Sequence, residues 1–191
     1  SYTGRHQIRA LIEEMDEDAD IGVIVIKGAN GVYTSGGDVK AFPDIPKNKM
    51  SDLHWNIGAP ERADKPVIVA MEKYALGVGF ELAMACDFRF ATKDTLVGLP
   101  ESSLGQMPGS GGSVRVARIA GLTRAKDMVM LGTRISAIKA HEWGLLTNVA
   151  EDAAALQTMV EEYAGKLNAL SPIALASLKK VLNSAYDSPL K

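Results

Sequence analysis

Two glutamates in this chain stand where a carboxylate is either costly or deliberate. Glu81 follows the turn Gly77-Val78-Gly79 and precedes Leu82-Ala83-Met84-Ala85-Cys86, an apolar run that reads as buried. A carboxylate beside so much apolar sequence costs free energy unless it is paired, hydrogen-bonded or used. Glu101 follows Leu99-Pro100 at a helix start. The helix dipole favours a first-turn carboxylate there whether or not it does chemistry, and by itself that is the commoner reason for one. Two carboxyl groups flanking one water would suit general acid–base work. Their spacing in sequence does not say that they meet.

Two glycine-rich exits from apolar runs could serve the same chemistry. Val25-Ile26 leads into Tyr33-Thr34-Ser35-Gly36-Gly37-Asp38, and Val69-Ala70 leads into Ala75-Leu76-Gly77-Val78-Gly79-Phe80-Glu81. In parallel α/β folds, sites form where loops leave the carboxyl ends of strands. Glycine lets backbone approach a ligand closely, and a helix start presents unpaired N–H groups. Two such exits side by side could aim one amide each at a single oxygen, which is an oxyanion hole. Glycine spacing is also served by tight turns alone, and taken by itself that plainer reading carries the greater weight.

Other residues carry less. Met107-Pro108-Gly109-Ser110-Gly111-Gly112-Ser113 has the look of an anion-binding loop before a helix, but it lacks the lysine and spacing of a nucleotide P-loop. It is better suited to lining a pocket or turning the chain. His6, His54 and His141 are far apart with no ligand spacing, so no metal site is expected. Cys86 reads as a small core residue, and as the single cysteine it allows no intrachain disulfide. Lys40 could meet a phosphate, though a solvated lysine is the plainer reading.

The elements that must position these residues alternate between strand and helix. Ile8, Leu11, Ile12 and Met15 recur at helical spacing and end in the acidic stretch from Glu13 to Asp20. Val23–Ile26 and Val67–Ala70 are short, all-apolar and rich in β-branched residues, as strands buried on both faces are. A helical stretch is expected around Ser51–Ile57, another over Phe80–Cys86, and short strands over Asp87–Ala91, Thr95–Gly98 and Leu146–Val149. Helix signals cover Glu101–Leu104, Ser113–Ala120, Thr123–Leu131 and Ser136–Trp143. In the tail, Asp152 caps a helix with Leu156, Val160, Tyr163, Leu167 and Leu170 as its buried stripe. Ser171 and Pro172 open a second, with Leu175, Leu178 and Leu182 inward. The pattern implies an α/β fold with parallel pairing.

Composition agrees with one ordinary domain. The 191 residues are 47% hydrophobic and 23% charged. The formal net charge of −2 gives no global basic field to attract nucleic acid. No apolar run reaches membrane-spanning length, the N-terminus has no signal-peptide pattern, and the cysteine usage fits a reducing compartment.

At these residues the sequence resembles the crotonase superfamily, the enoyl-CoA hydratase/isomerase family. The resemblance rests on ordered motifs over nearly the whole chain: Tyr33-Thr34-Ser35-Gly36-Gly37-Asp38-Val39-Lys40, Lys65-Pro66-Val67-Ile68, Tyr74 through Ala83, Cys86-Asp87, Leu99-Pro100-Glu101, Leu104-Gly105 through Gly112, Gly132 through Ala137, and Trp143-Gly144-Leu145. It implies a crotonase-like spiral of ββα turns followed by C-terminal helices. The core and its acyl-CoA site would occupy residues 1–150, and residues 151–191 would begin the helical region as part of the same domain. Members usually have a strand pair before the first helix and further helices after Leu190, so a chain short at both ends is expected.

The resemblance also implies an activity. By position, the amides of Gly37 and Val78 would hold the thioester oxygen, and Glu81 and Glu101 would match the pair with which hydratases hold and activate water. Glutamate at both places favours hydration of a 2,3-enoyl-CoA over Δ3,Δ2-isomerisation; hydrolysis of the thioester or a C–C bond is a further alternative, and the net charge of −2 with the glutamate pair argues against a non-catalytic RNA-binding or assembly role. Thr34, Ser35, Gly36, Asp38, Lys40, Gly77, Pro100 and Gly109 are the expected contacts to coenzyme A and acyl group. Coenzyme A would arrive as part of the substrate, with no separate cofactor and no metal. A homotrimer or dimer of trimers is implied, with no nucleic-acid or membrane partner, in the cytoplasm or, in a eukaryote, the mitochondrial matrix. Val78 stands where glycine is common. Its amide still donates, but its side chain narrows the pocket.

Overall fold

The computed structural model describes residues 2–38 and 50–185. Helix α1 (Tyr2–Glu17) precedes strand β1 (Ile24–Lys27). Helices α2 (Met50–Ile57) and α3 (Ala59–Arg62) lead to β2 (Val67–Met71), β3 (Tyr74–Leu76) and α4 (Val78–Ala85). Strands β4 (Phe88–Thr92) and β5 (Leu96–Gly98) run into a 3-10 helix at Pro100–Leu104, then α5 (Gly112–Ala120) and α6 (Leu122–Met130). The chain continues through β6 (Arg134–Ser136), α7 (Ala137–Glu142), β7 (Asn148–Ala150), α8 (Ala153–Asn168) and α9 (Pro172–Asn183).

The strands sort into two sheets because each short strand is followed by a sharp corner. One sheet is parallel throughout, in the order β1-β2-β4-β7. The other has the order β3-β5-β6, with β3 parallel to β5 and β5 antiparallel to β6. Thr34 bridges Ala75 in parallel and so extends the second sheet by one position. Successive ββα turns therefore stack. β1 with Thr34, β2 with β3, and β4 with β5 are equivalent rungs, and the exits after Thr34, Leu76 and Gly98 lie one above another.

Burial follows the sequence pattern closely in the sheets. All five residues of β2 are buried, as a strand covered on both faces requires. On one face, Val67, Val69 and Met71 join Ile12, Phe80, Leu99, Val116 and Met128. On the other, Ile68, Phe90 and Ala150 meet Leu156, Val160 and Leu167 of α8. Asp152 and Ser171 cap α8 and α9 through the N–H groups of Ala155 and Ala174.

The tail differs from expectation in its register. Leu170, Leu178 and Leu182 are exposed at 55, 57 and 68%. The inward face of α9 instead carries Leu175, packed against the α8 core, and Lys179 one turn on. The Lys179 ammonium donates to the carbonyls of Pro60 and Lys65 and pairs with Asp87 at 2.7 Å. A lysine that satisfies its donors this way can sit where apolar periodicity alone would place leucine. Strands β3 and β6 and the four-residue α3 also went unforeseen.

Candidate active site

The three stacked exits open on one cleft of about 840 Å³. Ser35, Gly36 and Gly37 enter from the first exit, Gly77, Val78 and Glu81 from the second, and Pro100 and Glu101 from the third. Gly109 and Ser110 close one side, while Leu53, Leu104 and Met107 give it apolar wall. Of the residues singled out from sequence, Thr34 and Asp38 are not among the lining residues and Lys40 falls outside the described residues. Thr34 contributes indirectly, since its Oγ1 accepts from the Gly36 N–H at 3.1 Å and shapes the first exit.

The two glycine exits are in direct touch. Tyr33 donates its hydroxyl to the Gly79 carbonyl at 3.2 Å. Gly77 has φ +54 and ψ −129, a conformation that a residue with Cβ adopts only under strain, and a Cβ there would stand 3.0 Å from Glu101 Oε1 and 3.9 Å from Gly36 Cα. Val78 is the first residue of α4, where a helix amide has no acceptor within its own helix. Among the described residues, no acceptor takes the Gly37 amide. The cleft thus has two backbone donors beside a carboxylate.

The two glutamates are held differently. Glu81 is 2% exposed, and its Oε1 accepts from the N–H groups of Ser110 at 2.8 Å and Gly112 at 2.9 Å. The glycine loop before α5 is therefore wrapped around a carboxylate that belongs to this protein. Gly112 allows the approach, because a Cβ there would fall 2.7 Å from Glu81 Cγ. Glu101 has the opposite environment. Its Oε2 is buried without a hydrogen-bond partner among the described residues. Burial pushes its carboxyl up to about 7; the negative charge of Glu81 adds to the rise, while its own backbone hydrogen bond and the charge of Arg5 oppose it. A carboxyl that titrates there can both give and take a proton near neutral pH.

Arg5 was missed from sequence. It is 8% exposed, lines the cleft, and donates from Nη1 to Ser110 Oγ at 2.7 Å. A signal was present: positions 5, 8, 12 and 15 share one helical stripe, so the apolar face of α1 continues into a charged residue.

Comparison with known proteins agrees with this geometry. The model of the enoyl-CoA hydratase/isomerase family matches residues 3–191. The chain belongs to the enoyl-CoA hydratase/isomerase family. Within that family it is 34% identical to a probable enoyl-CoA hydratase of Bacillus subtilis, over 97% of this chain and 75% of that protein. It is 32% identical to a probable mitochondrial enoyl-CoA hydratase of Dictyostelium discoideum, over 97% of this chain and 67% of that protein. The crystal structure of an enoyl-CoA hydratase from Bacillus anthracis superposes with a TM-score of 0.91 at 30% identity, covering 99% of this chain and 75% of that one. The fold is the crotonase spiral of its family. No described helix is long and apolar enough to cross a membrane.

A second cleft, about 410 Å³, lies between α4, α5, α8 and α9 and contains neither glutamate. Its Cys86 is buried with the thiol pushed up to about 12 by desolvation, which makes it a packing residue and not a nucleophile.

Proposed function

We propose that this enoyl-CoA hydratase/isomerase family member adds water across the 2,3-double bond of an enoyl-CoA. The observation that carries the reading is the unequal pair of carboxyls in one cleft: Glu81 fixed by two backbone amides, Glu101 with its Oε2 unpartnered among the described residues and its carboxyl pushed up to about 7 by burial. In this reading the thioester oxygen accepts from the Gly37 and Val78 amides, and one water sits between the glutamates. The Glu81 carboxylate takes a proton from the water as its oxygen bonds to the β-carbon. The π electrons move toward the thioester oxygen, where the two amides stabilise the enolate. Glu101, protonated, then delivers its proton to the α-carbon. The proton on Glu81 returns to Glu101 through water before the next turnover. Ser35, Gly36, Gly77, Pro100 and Gly109 would contact the acyl-CoA, and the Val78 side chain would limit the acyl groups admitted.

Loss of the conjugated enoyl absorbance of crotonyl-CoA and of longer and aromatic enoyl-CoAs tests the reading. Hydration that falls severely with both Glu81→Gln and Glu101→Gln is the expected result. Activity that depends on Glu101 alone would point to double-bond isomerisation, and no turnover of any enoyl-CoA would sink the hydratase reading. We also propose assembly as a homotrimer or dimer of trimers. Exposed Leu122, Met130 and Leu131 at 68, 68 and 75% around α6 support an interface there, and light scattering would measure the subunit number directly.

A further inference from the structure

Ser110 is completely buried, and all three of its polar atoms are engaged. Its N–H goes to Glu81 Oε1 at 2.8 Å. Its hydroxyl accepts from Arg5 Nη1 at 2.7 Å, and its carbonyl accepts from Arg115 Nη1 at 2.9 Å. Arg115 is in turn anchored to Glu61 at 2.7 Å and is 6% exposed. Two buried arginines therefore grip one serine, and what this serine presents to the cleft is an amide aimed at Glu81. Arg115 looks outward to Glu61, whereas Arg5 lines the cleft itself.

Holding a loop does not require a buried guanidinium. Burial disfavours the charged form of Arg5, and the opposing charges that act on it are Glu81 and Glu101. Their effect is mutual. Glu101 is pushed up by burial and by Glu81, and Arg5 restrains the rise. Among the described residues, the charged groups acting on Glu101 are thus Glu81 on α4 and Arg5 on α1. Helix α6, which also packs on the 3-10 helix, carries Arg124, Lys126 and Asp127, and none of these perturbs it. The proposed hydration starts from a carboxylate at Glu81 and a proton on Glu101, and with Arg5 positive those three groups sum to zero.

We propose that Arg5 is a positioning residue of the reaction, which aims Glu81 through Ser110 and sets the charge balance of the Glu81–Glu101 pair. The rate part of this proposal rests on the hydratase reading; the charge part does not. A lysine at position 5 keeps the charge and loses the planar fork that meets Ser110. Methionine keeps the stem and loses the charge. Ser110→Ala keeps the charge and loses the hydroxyl acceptor.

The experiment follows the Glu101 carboxyl by carbon-13 NMR against pH in wild type, Arg5→Met, Arg5→Lys and Ser110→Ala, with Glu101→Gln identifying the resonance. The pH dependence of kcat/KM for crotonyl-CoA is measured beside it. In Arg5→Met the Glu101 midpoint moves above its wild-type position near 7, and the alkaline limb of kcat/KM moves with it. In Arg5→Lys and Ser110→Ala the midpoint stays, while kcat falls on the order of 10-fold with KM nearly unchanged, as expected of a misaimed carboxylate. An Arg5→Met protein whose midpoint and limb stay at wild type, with only its melting temperature lowered, would reduce Arg5 to a structural brace and overturn the proposal. If Arg5→Met fails to fold, a wild-type midpoint and unchanged kcat in both Arg5→Lys and Ser110→Ala overturn the positioning role. A wild-type protein that hydrates no enoyl-CoA defeats the hydratase reading separately, and the titration still decides the charge role.

Discussion

Replacing Glu81 should separate its two duties, because its Oε1 alone accepts both buried amides. In Glu81→Gln the amide oxygen can occupy that place and keep both bonds. The change from charge-assisted to neutral bonds then costs about 1 kcal/mol. In Glu81→Ala the Ser110 and Gly112 amides lose their acceptor. Each buried orphan costs roughly 1–3 kcal/mol, so about 4 kcal/mol is expected before any relaxation. That is a large share of the ~5–15 kcal/mol that holds a domain together. With a urea slope near ~2 kcal/mol/M, the alanine variant should lose about 2 M in its unfolding midpoint and the glutamine variant about 0.5 M. Both should lose roughly 100- to 10,000-fold in hydration of crotonyl-CoA, the usual loss when a general base is removed. The assays are urea denaturation followed by circular dichroism and the decay of enoyl absorbance. Equal urea midpoints for alanine and glutamine would refute the hydrogen-bond argument, and a glutamine variant with wild-type turnover would refute the catalytic one.

Glu101 makes stability depend on pH with a definite sign. Below about 4.5 it is protonated in both states; as pH rises toward about 7 the unfolded chain releases its proton while the folded chain keeps it, so folding stability falls and then levels off. Its contact with the cleft discounts the full shift to about 1–2 kcal/mol, so Glu101→Gln should be more stable than wild type by that much at pH 8 and equal to it near pH 4, in paired urea titrations. Gly77→Ala should cost about 1–3 kcal/mol through its positive φ and also depress kcat, since the new methyl meets Glu101 Oε1; circular-dichroism melts and steady-state rates measure the two effects. Gly112→Ala should lower turnover by displacing Glu81, while Gly121→Ala, at a positive φ with open space around it, should affect only stability; paired rate measurements make the comparison. Lys179→Ala should destabilise by about 2–3 kcal/mol, because half-buried Asp87 loses its ion-pair partner, and Asp87→Asn in the same background should recover part of the loss in urea titrations.

The glycines of the site illustrate how much was legible and how much was not. Spacing marked Gly36, Gly37 and Gly77 as places where backbone comes close to something, yet by itself favoured simple turns. The glycine loop at Gly109–Gly112 had the look of an anion cradle, and what its amides hold is the carboxyl oxygen of Glu81 in the same chain. Nothing local identifies that partner, which lies 29 residues away from Ser110. Arg5 was hidden for a related reason. A charged residue on an apolar stripe is visible in the pattern, but its partner 105 residues on is not. The register of α9 was misread because a snorkelling lysine and an inward leucine differ only in what waits for the ammonium.

The sequence by itself determined the parallel strands, the helix caps at Asp152 and Ser171, and the family to which the ordered motifs point. These rest on side-chain period and on backbone chemistry local to a few residues. Only the tertiary structure decided that three exits stack into one cleft, that Glu81 Oε1 takes two amides while Glu101 Oε2 has no partner among the described residues, and that the charge of Arg5 acts on both. Those outcomes depend on which rung of the spiral lies above which, and so on contacts between residues far apart in the chain. The environment of a carboxyl is set by such contacts, which is why two glutamates of the same chemistry end up in different electrostatic surroundings.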